Sequence, residues 1–408
     1  MKIASYAVQP VRVTYDETVS GTHILLRLRT DEGIEGISFV SRLGGGSVRP
    51  LALLIASAAE QVLDHDPMNG EALYARLFRA GVGGGLSGLE ARAASAIDAA
   101  AWDIRGKALG QPVWRLMGGF RNRLPVSANW GVQRGPDLET LTRRANDLLG
   151  RGFRALKFQV GFLQRDEAIT HTRVMRQIVG DSVRLIVDAN QQWTVKQAVA
   201  MGDALAEFDL YWIEDPVSAH DVAGLRHVRD ALSTRICAGE VYQNTQQFRR
   251  LLEADATDQV MIDLDLGLTG FLKVAHMCEA YGLPVVNHLA SEILAHGVAA
   301  VPNGLIVGFI RGRSRSLRHQ RVLKTANWCC LKHQDWGWSW TRRPSSASRS
   351  NDSSSAGSTL RGTDLRGSNL RGTDPLGTDL RGSNLRGSNL RRSNLRRSNL
   401  RRSHRPWD

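Results

Sequence analysis

The feature that most constrains this chain is a recurrence. Short apolar runs, each closed by a polar residue, return about every 25 positions. Asp188, Glu214, Glu240, Asp263 and His288 are separated by 26, 26, 23 and 25 residues. That interval is one strand plus one returning helix, so each polar residue falls at the same end of its own strand. Eight such runs can be read from position 125 on: PVSANW, RALKFQV, VRLIVDA, LYWIED, TRICAGE, QVMIDLD, LPVVNHL and NGLIVGF. They are mostly apolar rather than alternating, as parallel strands covered on both faces are. Helical stretches at Val195–Glu207, Asp221–Ala231 and Gln246–Ala254 lie between them. Eight parallel strands with crossover helices predict a TIM-type (β/α)7β barrel over 126–310, and the strand ends predict one shared mouth.

Residues 1–125 read differently. HILLRLRT, a turn at Asp31-Glu32-Gly33 and IEGISFVS form a hairpin, and helices fill 46–118. In the clearest helix Leu89, Ala93, Ala96, Ile97, Ala100, Ala101, Ile104 and Ala108 make one apolar face. Strands followed by helices predict an α+β domain placed before the barrel.

Charge separates a third segment. Residues 311–408 hold 22 of the 53 Lys and Arg and 6 of the 40 Asp and Glu, a net of +16. That leaves 31 basic and 34 acidic side chains, a net of −3, for residues 1–310. The basic character therefore belongs to the tail, and the body is not a nucleic-acid binder by charge. The tail runs through a Ser-rich linker into LRGTD, LRGSN and LRRSN units with leucines at 360, 365, 370, 380, 385, 390, 395 and 400. One Leu per five residues, flanked by arginines, predicts a mostly disordered segment open to trypsin, touching nucleic acid only non-specifically. Its composition is also that of an unrelated or shifted reading frame. Four cysteines without a CxxC spacing exclude a disulfide framework and a zinc site. No apolar run of about 18 residues predicts a membrane span, and the N-terminus reads as a strand; the expectation is a cytoplasmic protein.

The strand ends carry the candidate chemistry. Asp188, Glu214 and Glu240 on consecutive strands can hold one hard divalent cation such as Mg²⁺, which prefers oxygen ligands. A cation there would stabilise the oxyanion formed when a proton leaves the carbon next to a carboxylate. Lys157, one strand earlier, would neutralise a substrate carboxylate or pair with a neighbouring acid. His288 is the candidate general base, with Asp263 one strand back to orient it. Taken singly, each acid could equally be a helix N-cap, and His288 a buried hydrogen-bonded residue.

The order LKFQ, VDAN, WIEDP, AGE, Asp263 and NHL, with AAWDIRGKALGQPVWRLMGG before it, resembles the enolase superfamily and its mandelate racemase subgroup over about 1–310. The resemblance implies an N-terminal capping domain, Mg²⁺ on Asp188, Glu214 and Glu240, a His288–Asp263 acid/base dyad, substrate contacts from Gln159, Asn190 and Asn129, and a homo-oligomer. Three departures stand out. Gln159 replaces a second basic residue of the strand-two motif, Gly308 stands where an acid is usual, and the loop from Asp263 to Thr269 is short, so Asp265 is an alternative dyad partner. One base suffices for dehydration, whereas racemisation needs one on each face. The implied function is therefore dehydration of a sugar acid, with hydroxy-acid racemisation or epimerisation as the alternative. A catalytically impaired relative with a basic interaction tail is the reading from a different class. Specificity is expected from loops near Tyr15–His23 and Arg42–Arg49. The tail units also resemble pentapeptide repeats.

Overall fold

The computed structural model describes residues 1–14, 20–42, 48–79, 87–129 and 137–310, together with 329–330 and 360–361. The chain opens with an antiparallel sheet of β1 (Ile3–Thr14), β2 (Ser20–Thr30) and β3 (Glu35–Arg42). Gly33 closes the turn between β2 and β3 at a φ of 84°, its N–H donating to the Thr30 carbonyl at 3.0 Å. Side chains alternate across this sheet. Ile24, Leu26 and Leu28 join one core with helices α1 (Val48–Glu60), α2 (Gly70–Arg79) and α3 (Gly88–Ala108), while Leu25, Ile37 and Phe39 join the core shared with the barrel.

Helix α3 departs from the single apolar face read in its sequence. Ala91, Ala94, Asp98, Ala99 and Arg105 are buried as well, and Ala108 is exposed. The helix packs against β3 and α1 on one side and the barrel helix at Gly267–Ala280 on the other, so a stripe does not describe it. Its alanines permit that close approach from both sides. A short helix α4 (Val113–Leu116) and strand β4 (Arg123–Leu124) lead into the barrel.

All eight predicted strands form. They are β5 (Val126–Asn129), β6 (Ala155–Gln159), β7 (Arg184–Asp188), β8 (Leu210–Glu214), β9 (Ile236–Ala238), β10 (Gln259–Ile262), β11 (Val285–Asn287) and β12 (Gly304–Ile310). They close into one barrel, with β12 pairing parallel to β5. Among the described residues seven helices alternate with them: α5 (Leu138–Gly150), α6 (Arg165–Val179), α7 (Val195–Leu205), α8 (Val222–Ala231), α9 (Thr245–Glu253), α10 (Gly267–Ala280) and α11 (Ser291–Ala300). Ala155, Ile186, Trp212, Cys237, Met261, Val286 and Ile306 fill the barrel interior as one cluster. Five of them lie two residues before a polar position, Lys157, Asp188, Glu214, Asp263 and His288, while Cys237 and Ile306 precede Gly239 and Gly308 by the same step. The period of two along a strand therefore turns the polar ends inward, above the apolar plug.

Helix caps are supplied by other residues. Asp137, Thr194, Asp221 and Asn244 accept from backbone N–H groups at the starts of α5, α7, α8 and α9, the second and fourth as capping boxes. The strand-end acids are thus released from capping, apart from Asp263, which also accepts from Asp265 N. Beyond residue 310, Cys329–Cys330 (β13) pairs with β4 and Leu360–Arg361 (β14) with Ala7 and Val8 of β1. The expected disorder of the tail otherwise lies outside the described residues, as do 15–19 and 43–47 of the expected specificity loops. No helix among the described residues is long and apolar enough to cross a membrane.

Candidate active site

Strand pairing sets the side chains of the mouth at two successive levels, Lys157 with Asn129 below and Gln159 with Asp188 and Glu214 above. Asn129 lies opposite Lys157, Gln159 opposite Asp188, and Asp188 opposite Glu214. Lys157 is buried and donates from Nζ to Asp188 Oδ2 at 3.0 Å and to Glu214 Oε1. Of the two roles open to it in the sequence, this structure holds the pairing with neighbouring acids. Burial works against its charge, but Asp188, Glu214 and Glu240 together raise its pKa.

Asp188 and Glu214 are thus bridged by an ammonium, while Glu240 faces the other way round the mouth. Its Oε2 lies 3.1 Å from His288 Nε2 and has no hydrogen-bond partner. Among the described residues, no three His, Cys, Asp or Glu side chains meet as a ready metal cage. The donor set still fits a divalent cation. Asp188, Glu214 and Asp215 are buried, Glu240 is close by, and among the described residues Lys157 and His288 offset them. Glu214 is pushed up to about 7 by burial and by the charges of Asp188 and Glu240, against the pull of Lys157. Burial and the same carboxylates raise Asp215 strongly. Lys157 stands where a cation is wanted, and negative charge remains uncompensated around it.

His288 follows β11 directly. Its Nδ1 lies 2.5 Å from Asp263 Oδ2, which decides between the two candidate partners. Asp265 instead accepts from Arg92 Nε at 2.9 Å and Gln243 Nε2 at 2.8 Å. Burial lowers the proton affinity of His288, but Glu240 and Asp263 outweigh it and hold the imidazole up to about 9. Burial, then the charge of Asp263, pushes Asp265 up to about 6, with Arg92 and Gln243 pulling the other way.

The amide side chains complete the rim. Gln159 Oε1 and Asn190 Oδ1 are buried without partners, as polar atoms awaiting a ligand are. Asn190 N donates to Asp188 Oδ1 at 2.9 Å and so steadies that carboxylate. Asn190, Gln191, Asp215, Leu289 and Ala290 have φ between 34° and 61°. Such left-handed backbone at non-glycine residues clusters where strand ends are bent toward a site. The space beside Gly308 is taken: a Cβ there would lie 3.0 Å from Asn129 Nδ2. Asn287 ties β11 to β12 by accepting from Gly308 N at 2.9 Å and donating to its carbonyl at 3.2 Å.

Sequence reasoning missed Arg92, Gln243 and Asn287. The last lay within the NHL motif; Arg92 lies in the Ala-rich helix α3, whose period marks only its apolar residues, and Gln243 sits in a polar stretch with no periodic signal. Also unforeseen was the buried link from the cap to α10. Asp98 accepts from Thr269 N at 2.9 Å and Thr269 Oγ1 at 2.6 Å, and Trp102 Nε1 donates to Thr269 Oγ1 at 2.9 Å.

Comparison with known proteins agrees with this architecture. Residues 2–118 match the mandelate racemase / muconate lactonizing enzyme N-terminal domain, and 140–327 match the enolase C-terminal domain-like family. Pentapeptide repeats match 356–387 and 376–404. The chain is 31% identical over 283 residues to L-talarate/galactarate dehydratase of Salmonella typhimurium, spanning 68% of this chain and 70% of that protein. It is 32% identical over 291 residues to 3,6-anhydro-alpha-L-galactonate cycloisomerase of Streptomyces coelicolor, spanning 69% and 78%. The crystal structure of the Salmonella dehydratase with Mg and L-lyxarohydroxamate superposes with a TM-score of 0.78 at 25% identity, covering 83% of this chain and 91% of that one.

Proposed function

Because the chain belongs to the mandelate racemase / muconate lactonizing enzyme family of the enolase superfamily, we propose that it is a Mg²⁺-dependent sugar-acid dehydratase working with a single base. The observation that carries this reading is the asymmetry of the mouth. His288, backed by Asp263, stands on β11; three strands round the barrel, β6 presents Gln159, which cannot take a proton.

Asp263 accepts from Nδ1–H of His288, so Nε2 is the nitrogen that exchanges a proton with substrate, and it is basic once it has given up the proton that Glu240 and Asp263 favour. Nε2 takes the proton α to the substrate carboxylate. The electron pair left behind forms a carbon–carbon double bond as the β C–O bond breaks. The departing hydroxide takes the proton from His288 and leaves as water, and the enol product tautomerises to a 2-keto-3-deoxy acid. Asp188, Glu214 and Glu240 would hold Mg²⁺, which when bound offsets the negative charge developing on the substrate carboxylate. Gln159, Asn190 and Asn129 bind substrate hydroxyls through amide groups; two of them carry unpartnered oxygens. A racemase would need a base where Gln159 stands. The reading of an impaired relative rests on Gly308 and on the basic tail that stands in place of the family's closing C-terminal segment; at Gly308 the Asn129 amide offers a hydrogen-bond donor in place of the missing acid.

The test is incubation with a panel of sugar acids and Mg²⁺, following 2-keto acid formation and exchange of the α-proton in deuterated water. His288→Asn is expected to abolish exchange, and Gln159→Ala to retain most of it. Exchange that persists in His288→Asn refutes the single-base reading.

A further inference from the structure

We infer that Arg92 of the cap is a positioning residue for the His288–Asp263 pair, acting through Asp265. The role of His288 as base is taken from the proposed function; the geometry below does not depend on it.

Both oxygens of the Asp263 carboxylate are engaged. Oδ2 lies 2.5 Å from His288 Nδ1, and Oδ1 accepts from the backbone N–H of Asp265 at 3.2 Å. The orientation of Asp263 therefore depends on where the Asp265 backbone sits. That residue is held by its own side chain, whose Oδ2 receives Arg92 Nε at 2.9 Å and Gln243 Nε2 at 2.8 Å. Gln243 in turn accepts from Gly88 N at 2.5 Å, the first residue of α3. Two attachments from one end of α3, a guanidinium and a backbone N–H, thus converge on Asp265.

Asp265 stays buried because of them. Its side chain is 9% exposed and that of Arg92 is 28% exposed. Arg92 forms no other ion pair among the described residues. Without the guanidinium, a buried carboxylate next to Asp263 loses the cation it pairs with, and the two acids repel. The short turn at Leu264–Leu266 is then free to move Asp265 N away from Asp263. The dyad loses its alignment while its two members remain in place. Removing one partner of a pair this buried also lowers stability, so the role of Arg92 is read at the site, from the state of the dyad, and not from the fold.

The experiment uses the full chain with ¹⁵N-labelled histidine. The His288 Nδ1–H, bonded to a carboxylate, gives a far-downfield proton resonance, identified by its loss in His288→Asn. Asp263→Asn serves as the positive control for disruption. Arg92→Met is expected to shift or broaden this resonance, and Arg92→Lys, which keeps the charge, to restore it in part. In turnover, Arg92→Met should lower kcat roughly 10-fold with KM nearly unchanged, as loss of an outer-shell partner does, and Arg92→Lys should recover part of it. A resonance in Arg92→Met identical to that of the unmodified protein overturns the inference. If no sugar acid is turned over by the unmodified protein, the functional reading fails, and the resonance alone decides the role of Arg92.

Discussion

Asp98→Ala should be among the most damaging single changes outside the barrel mouth. The carboxylate is 2% exposed and makes two hydrogen bonds to one residue, Thr269 N at 2.9 Å and Thr269 Oγ1 at 2.6 Å. Thr269 lies in the first turn of α10, where backbone N–H groups have no partner within the helix. Asp98 therefore caps a barrel helix from the cap domain, 171 residues away. Truncation leaves a buried N–H and a buried hydroxyl short of an acceptor, and leaves Arg105 without a carboxylate that favours its charge. A bond to a charged group contributes about 1.5–3 kcal/mol, and removing one partner of a buried ionic network costs about 3–5 kcal/mol. Burial raises the pKa of Asp98, which marks a desolvation cost that truncation recovers, so the lower end, ~3 kcal/mol, is expected. Urea unfolding followed by tryptophan fluorescence would measure it. A double-mutant cycle with Thr269→Val should return a coupling of ~2 kcal/mol, within the range for residues sharing a network. A loss below ~1 kcal/mol, or a coupling near zero, would show that water replaces the carboxylate at no cost and that the two domains are not joined here.

Gly267→Ala should weaken the same junction, because Gly267 has φ 69° and an added Cβ would lie 2.5 Å from Asp98 Oδ2; its unfolding midpoint in urea is expected to fall along with that of Asp98→Ala. Gly161→Ala should disturb the mouth instead, since its Cβ would lie 1.8 Å from the Ala189 carbonyl, next to Asp188; reduced Mg²⁺ binding by calorimetry with near-normal far-ultraviolet circular dichroism is the expected pair of results. Glu214→Gln should abolish the Mg²⁺ heat without unfolding the barrel, and an unchanged titration would remove Glu214 from the ligand set. His296 supplies a pH dependence. It is buried, its Nδ1 accepts from Trp114 N at 3.0 Å, and burial pushes it down to about 3. From the ordinary value of 6.5 down to about 3 the unfolded chain takes up a proton that the folded chain refuses, so stability is full above 6.5 and falls on acidification. The slope from this group is about 1.4 kcal/mol per pH unit, and His296→Gln should flatten the urea midpoint between pH 6.5 and 5.5 relative to the unmodified protein.

The barrel and its mouth were legible in the sequence for a geometric reason. A strand and its crossover helix consume about 25 residues, and strand side chains alternate with period two. Spacing and parity alone therefore brought Lys157, Asp188, Glu214, Asp263 and His288 to one end and one face. Partner choice was not legible, because it turns on distances of an ångström between elements far apart in the chain. Asp263 and Asp265 differ by two positions and by nothing in type, yet one meets His288 and the other Arg92, 173 residues away. Lys157 had two chemically reasonable roles, and only the depth of Asp188 and Glu214 around it sets the pairing observed. Helix α3 looked one-sided because periodicity records apolar residues, whereas its second buried side is made by Asp98 and Arg105 bonding to other elements. Local pattern determines which way a side chain points. Which group it meets there is decided by packing between elements that the pattern leaves free to slide.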